Sequence, residues 1–204
     1  MGIWGDQVVP RLAARMLDSS QARQVRTTAC EGLHGEVLEI GFGSGLNVPH
    51  YPPGVTRVAA VEPSDVGWHL AADRVRAASV PVERSGLDGQ ALPFADDRFD
   101  AALSTWTLCT IPDAVGALRE VRRVLRPGAL LHFAEHGRAP DAVVHRWQRR
   151  FEPVQKRLGG GCHLSRPIDE LLTAAGFAVE RLDRRYLDKE PRVFGSMYEG
   201  RARA

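Results

Sequence analysis

The run Val37-Leu-Glu-Ile-Gly-Phe-Gly-Ser-Gly45 sets three glycines at alternate positions directly behind a short apolar segment. It predicts a buried strand that runs into a turn lined by main chain. Lacking a Cβ, Gly41, Gly43 and Gly45 can take positive φ and let a large ligand pack against the backbone. A helix is predicted to start near Ser44, with its free N–H groups facing the turn. The arrangement suits part of a nucleotide-like cofactor, and Glu39 stands where a carboxylate would face a cationic group. The spacing departs from the dinucleotide fingerprint G-x-G-x-x-G, because Leu46 holds the third glycine's position, and no G-x-x-x-x-G-K-[ST] occurs.

A second buried strand, Arg57-Val-Ala-Ala-Val61, ends in Glu62-Pro63-Ser64. Glu62 lies about 20 positions past the first glycine, the spacing at which a strand-end carboxylate holds ribose hydroxyls. The alternative is an acid that caps the next helix, a role equally open to Ser64. After a short strand at Val80 to Glu83 comes Ser85-Gly-Leu-Asp-Gly-Gln-Ala-Leu-Pro-Phe94. There Asp88 would accept from an adenine amino group and the Gly89 N–H would meet the ring, with Leu92 and Phe94 packed beneath it. A plain loop with a hydrophobic plug is the alternative.

Strands are predicted at 36–40, 57–61, 80–84, 99–104 and 129–134, then at Phe177 to Leu182 and Arg192 to Tyr198. Helices are predicted near 6–30, 45–50, 64–77, 112–124, 140–158 and 166–175. The first carries Val9, Leu12, Ala13, Met16 and Leu17 on one face, and Asp18-Ser-Ser20 is set to break and recap it. The alternation makes this an α/β chain, with a mostly parallel sheet and helices on both faces. Ligands of such sheets sit at the carboxyl ends of the strands, where Gly41, Glu62, Asp88 and Ser104 lie.

Five segments keep a recognisable order: Leu38-Glu-Ile-Gly-Phe-Gly-Ser-Gly45, Val61-Glu-Pro63, Asp88-Gly-Gln-Ala-Leu-Pro-Phe94, Arg98-Phe-Asp100 and Val124-Leu-Arg-Pro-Gly128. Over roughly Glu36 to Gly137 the chain resembles the class I S-adenosylmethionine-dependent methyltransferases, in the small-molecule branch that also holds quinone and sterol C-methyltransferases. Further on, Thr105-Trp-Thr-Leu-Cys-Thr-Ile-Pro112, Phe133-Ala-Glu-His136 and Gly160-Gly-Cys-His-Leu-Ser-Arg166 are similar to the methyltransferase-like seven family, whose animal members methylate alkyl thiols. The sequence opens Met1-Gly-Ile-Trp-Gly-Asp6, so no counterpart of those members' hydrophobic N-terminal anchor is expected.

The resemblance implies a three-layer Rossmann-like fold of seven strands, the last one antiparallel and inserted between its neighbours. It implies S-adenosyl-L-methionine as cofactor, released as S-adenosyl-L-homocysteine. The residues that match its cofactor motifs are Glu39, Gly41, Phe42, Gly43, Gly45, Leu46, Glu62, Pro63, Asp88, Gly89, Gln90, Ser104 and Thr105. It also implies a single domain: residues 1–34 as a helical cover or a helix packed on the sheet, 35–137 as the cofactor core, and 138–204 as a crossover helix, substrate-side elements and the last strands.

Of the 204 residues, 44% are hydrophobic and 25% charged, as in soluble globular domains. A net charge of +2 gives no electrostatic case for nucleic acid. The charge is uneven, with 14 Lys/Arg against 9 Asp/Glu in residues 138–204. Cys30, Cys109 and Cys162 have no paired spacing, so neither a disulfide framework nor a metal site is expected. No run of about 18 apolar residues occurs, so a cytosolic location is expected, with at most peripheral membrane contact.

Methyl transfer is an in-line displacement in which the cofactor brings electrophile and leaving group. The protein must position a nucleophile, exclude water and handle one proton. His136, after the fifth strand, and His163, in the Gly-Gly-Cys-His turn, are the candidates for proton handling, each with a structural alternative. Arg166 is a candidate source of fixed positive charge, and Glu135 would bind His136 or cap a turn. Trp106 and Cys109 are candidate pocket residues, with a small buried hydrophobe as the alternative for Cys109.

In 140–158, Val143, Trp147, Phe151, Val154 and Leu158 recur at helical spacing among five basic residues, and Pro153 is expected to kink or split the helix. The stripe either covers the sheet or forms a lid over an apolar pocket, with Trp147 and Phe151 as candidate pocket walls. The expected reaction is methyl transfer to a small lipophilic acceptor, foremost a thiol. The alternatives are a quinone or phospholipid methyltransferase, and a cofactor-binding protein without catalysis.

Overall fold

Strands and helices alternate along residues 4–204, the part of the chain that a computed structural model describes. A helical lead-in, Trp4–Val8, joins α1 (Val9–Met16), and Ser19 caps α2 (Ser20–Cys30) by accepting the Ala22 N–H. Then come β1 (Gly35–Ile40), β2 (Val55–Val61), α3 (Asp65–Arg76), β3 (Val82–Gly86), β4 (Phe99–Thr105) and α4 (Ala114–Val124). The chain closes with β5 (Leu125–His136), α5 (Ala142–Leu158), α6 (Ile168–Ala174), β6 (Ala178–Tyr186) and β7 (Ser196–Arg203). The first three residues of the expected 1–34 cover lie outside the described residues.

All seven strands form one sheet in the order β3-β2-β1-β4-β5-β7-β6. The first five run parallel, and β7 is antiparallel to both β5 and β6, as the resemblance implies. Strands buried on both faces read as continuous apolar runs, and their alternate residues serve opposite layers. In β1, Leu38 joins the layer of Leu118, Phe133 and Leu172, while Val37 joins that of Val25, Val58 and Leu103.

Four expectations are corrected. The helix expected at 45–50 is one tight turn, Val48–His50, because Gly45 holds φ 72° and Pro49 has no N–H to donate to a helical bond. The last strand starts at Ser196 and runs to Arg203, later than 192–198. Of the kink or split expected at Pro153, the split does not occur: α5 runs on through it, on the exposed side, where water can serve the carbonyl freed by its missing N–H. The apolar face of α1 is not a core face. Leu12 and Met16 are exposed, and α2 docks instead through Ala22, Val25, Arg26, Ala29 and Cys30.

Candidate active site

The glycine turn follows β1 at the carboxyl edge of the sheet. Gly41 has φ 67°, and a Cβ there would lie 2.0 Å from Thr107 Oγ1, so the loop after β4 presses directly on it. Gly43 has φ 58°, and a Cβ there would meet nothing closer than the Gly41 carbonyl oxygen at 3.9 Å. Gly43 is therefore the open side of the turn, while Gly45 packs against Phe42 and Ala71. Phe42 and Leu46 are both buried, and Phe42 lies 5.4 Å from Trp68, so their side chains serve the core and only their main chain borders the turn.

Glu62 ends β2 and reaches back across the turn. Its Oε2 accepts the Gly43 N–H at 2.5 Å and its Oε1 the Ser64 N–H at 2.7 Å. Burial raises its pKa, and the two N–H donors oppose the rise. Ser64 caps α3 through the Gly67 N–H, so capping does not fall to Glu62, which keeps lone pairs for a ligand. Pro63 is exposed beside it.

Glu39 faces inward. It is wholly buried and accepts from Tyr51 Oη at 2.5 Å and Asn47 Nδ2 at 2.9 Å. Asn47 also reaches Thr105 Oγ1 at 2.9 Å. One guanidinium nitrogen of Arg26 donates to Asn47 Oδ1 at 2.8 Å and Thr105 Oγ1 at 2.9 Å. The cation that Glu39 faces is thus the chain's own Arg26. Burial pushes Glu39 up to about 7, against the pull of Tyr51, Asn47 and Arg26.

Glu39 and Thr105 therefore form the floor of the site rather than its ligand-facing surface. Ser104 is likewise turned away, donating to Glu135 at 2.6 Å. Glu135 also accepts the N–H groups of Thr107 and Leu108, which resolves its role as a turn cap.

Arg26, Asn47 and Tyr51 escaped the sequence reading. A signal for Arg26 existed: a cation on the apolar stripe of α2, one turn from Ala22 and Cys30. The Arg26 guanidinium lies 4.7 Å from the Trp106 ring centre, and its buried Nε has no partner among the described residues. Trp106 holds φ 49°, a costly conformation for a bulky side chain and one that tends to mark functional sites.

The Asp88 loop forms the far side. Asp88 is exposed, and its Oδ1 accepts from the Gln90 N–H at 2.8 Å. Gln90 Oε1 in turn accepts the Asp113 N–H at 3.0 Å, bracing the loop against α4. Leu92 is a core residue and Phe94 packs edge-on against Phe99 at 4.9 Å, so neither lies beneath a base. The apolar groups on the open side are Leu87 and Ile111, the latter against Gly89.

His136 ends β5, is buried, and has no partner on either ring nitrogen among the described residues. His163 is tied down: its N–H donates to the Cys109 carbonyl at 2.8 Å, and its Nδ1 lies 3.3 Å from Glu152 Oε1. Cys162 sits against Cys109 and His136, and these neighbours draw its thiol below the ordinary range. The same contact, together with burial, holds the Cys109 thiol up. Arg166 donates to the carbonyls of Leu108, Ile111 and Pro112, so it staples the 108–112 loop and holds its charge beside both thiols.

Trp147 and Phe151 lie on the outward side of α5. They stack on one another at 5.8 Å, about half exposed, because Gln148 takes the inward side of α5.

A methyltransferase domain family matches residues 38–133. Over 177 residues the chain is 34% identical to thiol S-methyltransferase TMT1B of Homo sapiens, covering 80% of this chain and 71% of that protein. The chain belongs to the methyltransferase-like seven family and is an S-adenosylmethionine-dependent methyltransferase. The enzyme is also 36% identical over 110 residues to demethylmenaquinone methyltransferase of Mycolicibacterium paratuberculosis, covering 51% of this chain and 47% of that protein. An S-adenosylmethionine-dependent methyltransferase of Thermotoga maritima superposes with a TM-score of 0.71 at 22% identity, over 100% and 99% of the two chains, a likeness of fold alone.

The enzyme's residues fit this cofactor. The open side of Gly43 leaves room for it against main chain, Glu62 retains acceptor capacity, and Asp88 with Gly89 borders the far end. Bound there, S-adenosylmethionine supplies an activated methyl group. The chain's own residues supply position, shelter from water and the fate of a proton.

Proposed function

We propose that this enzyme methylates the sulfur of a small lipophilic thiol, and that His136 takes the thiol proton. The observation that carries the proposal is the buried His136 ring with two unpartnered nitrogens, beside Cys162 and at the same sheet edge as the strained Trp106. A buried polar group without a partner costs about 1–3 kcal/mol, a cost that an acceptor hydrogen-bonded to the ring removes. The relatives named thiol S-methyltransferases support the choice of acceptor.

The chemistry asks little of the protein. A free thiol has a pKa of about 8.5, and nearby positive charge lowers it. Arg166 holds such a charge beside the two thiols of the loop. His136 would accept the proton of the thiol S–H bond, which leaves the sulfur lone pair free to take a methyl group from the cofactor. The carbon–sulfur bond to that methyl would break, with S-adenosylhomocysteine as the leaving group. Trp106 and Cys109 border the acceptor, and His163 holds the loop in place.

The test is S-adenosylhomocysteine release with alkyl thiols, quinols and phosphatidylethanolamine compared as acceptors. We expect turnover with thiols. Turnover with quinol or phospholipid alone, or cofactor binding without any turnover, overturns the proposal.

A further inference from the structure

Helix α5 is amphipathic in the wrong sense for a helix that covers a sheet. Its inward side is polar. Gln148 is wholly buried, donates from Nε2 to the carbonyls of Gly137 at 3.0 Å and Val193 at 3.2 Å, and accepts the Ala139 N–H at 2.8 Å. Glu152 is turned toward Ser165 and His163. Its outward side carries Val143, Trp147, Phe151, Val154 and Leu158, each 42–63% exposed.

These five recur every three or four residues and make one stripe along a helix of roughly 25 Å. The apolar face extends beyond the helix. Phe194 lies 6.5 Å from Phe151 beside its middle, and at its C-terminal end the half-exposed Trp4 indole donates to the Leu158 carbonyl at 3.1 Å. An exposed apolar patch of this kind marks an interaction surface.

The charge beside the stripe identifies its occupant. Arg146, Arg149, Arg150, Lys156 and Arg157 flank it, and Glu152, the single acid of α5, is engaged inward. A second copy packed across a two-fold axis would set five cations against five. An interface that is apolar at its centre and anionic at its rim meets both features at once.

We propose that this face docks on an anionic phospholipid surface. Aromatic and aliphatic side chains enter the boundary between head groups and acyl chains, and the basic residues meet the head groups. Among the described residues no helix is long and apolar enough to cross a membrane, so the contact is peripheral. The helix leads straight into the Gly159–Cys162 turn beside Cys109, so the docked face adjoins the acceptor side of the site.

The test needs no acceptor, so its outcome is separate from the thiol assignment. The full chain is sedimented with vesicles of phosphatidylcholine alone and of phosphatidylcholine mixed with phosphatidylglycerol. We expect binding to the mixed vesicles only, weakened by salt. Phe151→Ser with Val154→Ser should abolish it while the far-ultraviolet circular dichroism is kept, since both side chains are exposed. Arg149→Glu with Arg150→Glu should weaken it by about fivefold or more for each cation lost. Equal sedimentation of the variants overturns the proposal, as does no sedimentation of the parent. Concentration-dependent dimers without vesicle binding would assign the face to a second copy instead.

Discussion

Arg26 lays its guanidinium 4.7 Å from the centre of the Trp106 ring while donating to Asn47 and Thr105. One buried cation thereby ties the second helix to the loop after the glycine turn and to the end of β4, next to the strained Trp106. Replacing it leaves Asn47 Oδ1 without its donor inside the protein. Arg26→Ala is expected to lower stability by roughly 3–6 kcal/mol, the worth of two hydrogen bonds from a charged donor. Urea unfolding measures this, and an unchanged midpoint would remove Arg26 from the framework of the site.

Gly41 and Gly43 separate two reasons for a glycine. At Gly41 a Cβ collides with Thr107, so Gly41→Ala should destabilise the fold itself. At Gly43 a Cβ projects into open space, so Gly43→Val should keep the cooperative transition, less about 1–2 kcal/mol for the left-handed backbone. It should nevertheless lose S-adenosylhomocysteine binding in titration calorimetry. Retained affinity in Gly43→Val would place the cofactor elsewhere.

His132 gives the enzyme an acid limit unrelated to catalysis. It is buried in β5, its Nδ1 lies 2.9 Å from the Ala29 carbonyl, and burial lowers its pKa from 6.5 to about 4. The unfolded chain binds a proton that the folded chain refuses, so this contribution to stability is whole above 6.5. It is lost as pH falls through about 4, by roughly 3 kcal/mol in all. His132→Gln should flatten the decline of stability between those two values. An acid limb of the same steepness in the variant would contradict the assignment.

What the sequence disclosed, and what it hid, divides by the range of the interaction. The β1 strand, the glycine turn, Glu62 and Asp88 were legible because each is a local pattern whose spacing is set by one βα unit. The partners of Glu39 were not. Tyr51 and Asn47 reach it from a turn with no regular period, and Arg26 and Thr105, from distant segments, join the network through Asn47 only in the folded chain. In α5 the periodicity revealed the stripe but not its direction. Three main-chain groups from Gly137, Ala139 and Val193 required a polar partner, and Gln148 turned that side inward. Strand β7 was displaced because its later residues are polar or small, with Arg201 and Arg203 sending their heads to Glu31 and Glu180.

The most direct measurement is the pH–rate profile for methylation of one alkyl thiol by the parent enzyme and by His136→Gln, with His163→Gln as the comparison. A proton acceptor at His136 predicts a loss of about 10²-fold or more at neutral pH in His136→Gln. That loss should be recovered as pH rises past about 8.5, where the thiol ionises without help. His163→Gln, which loosens the loop without removing the proton acceptor, should keep the shape of the parent's profile. Superimposable profiles for the parent and His136→Gln would contradict the account.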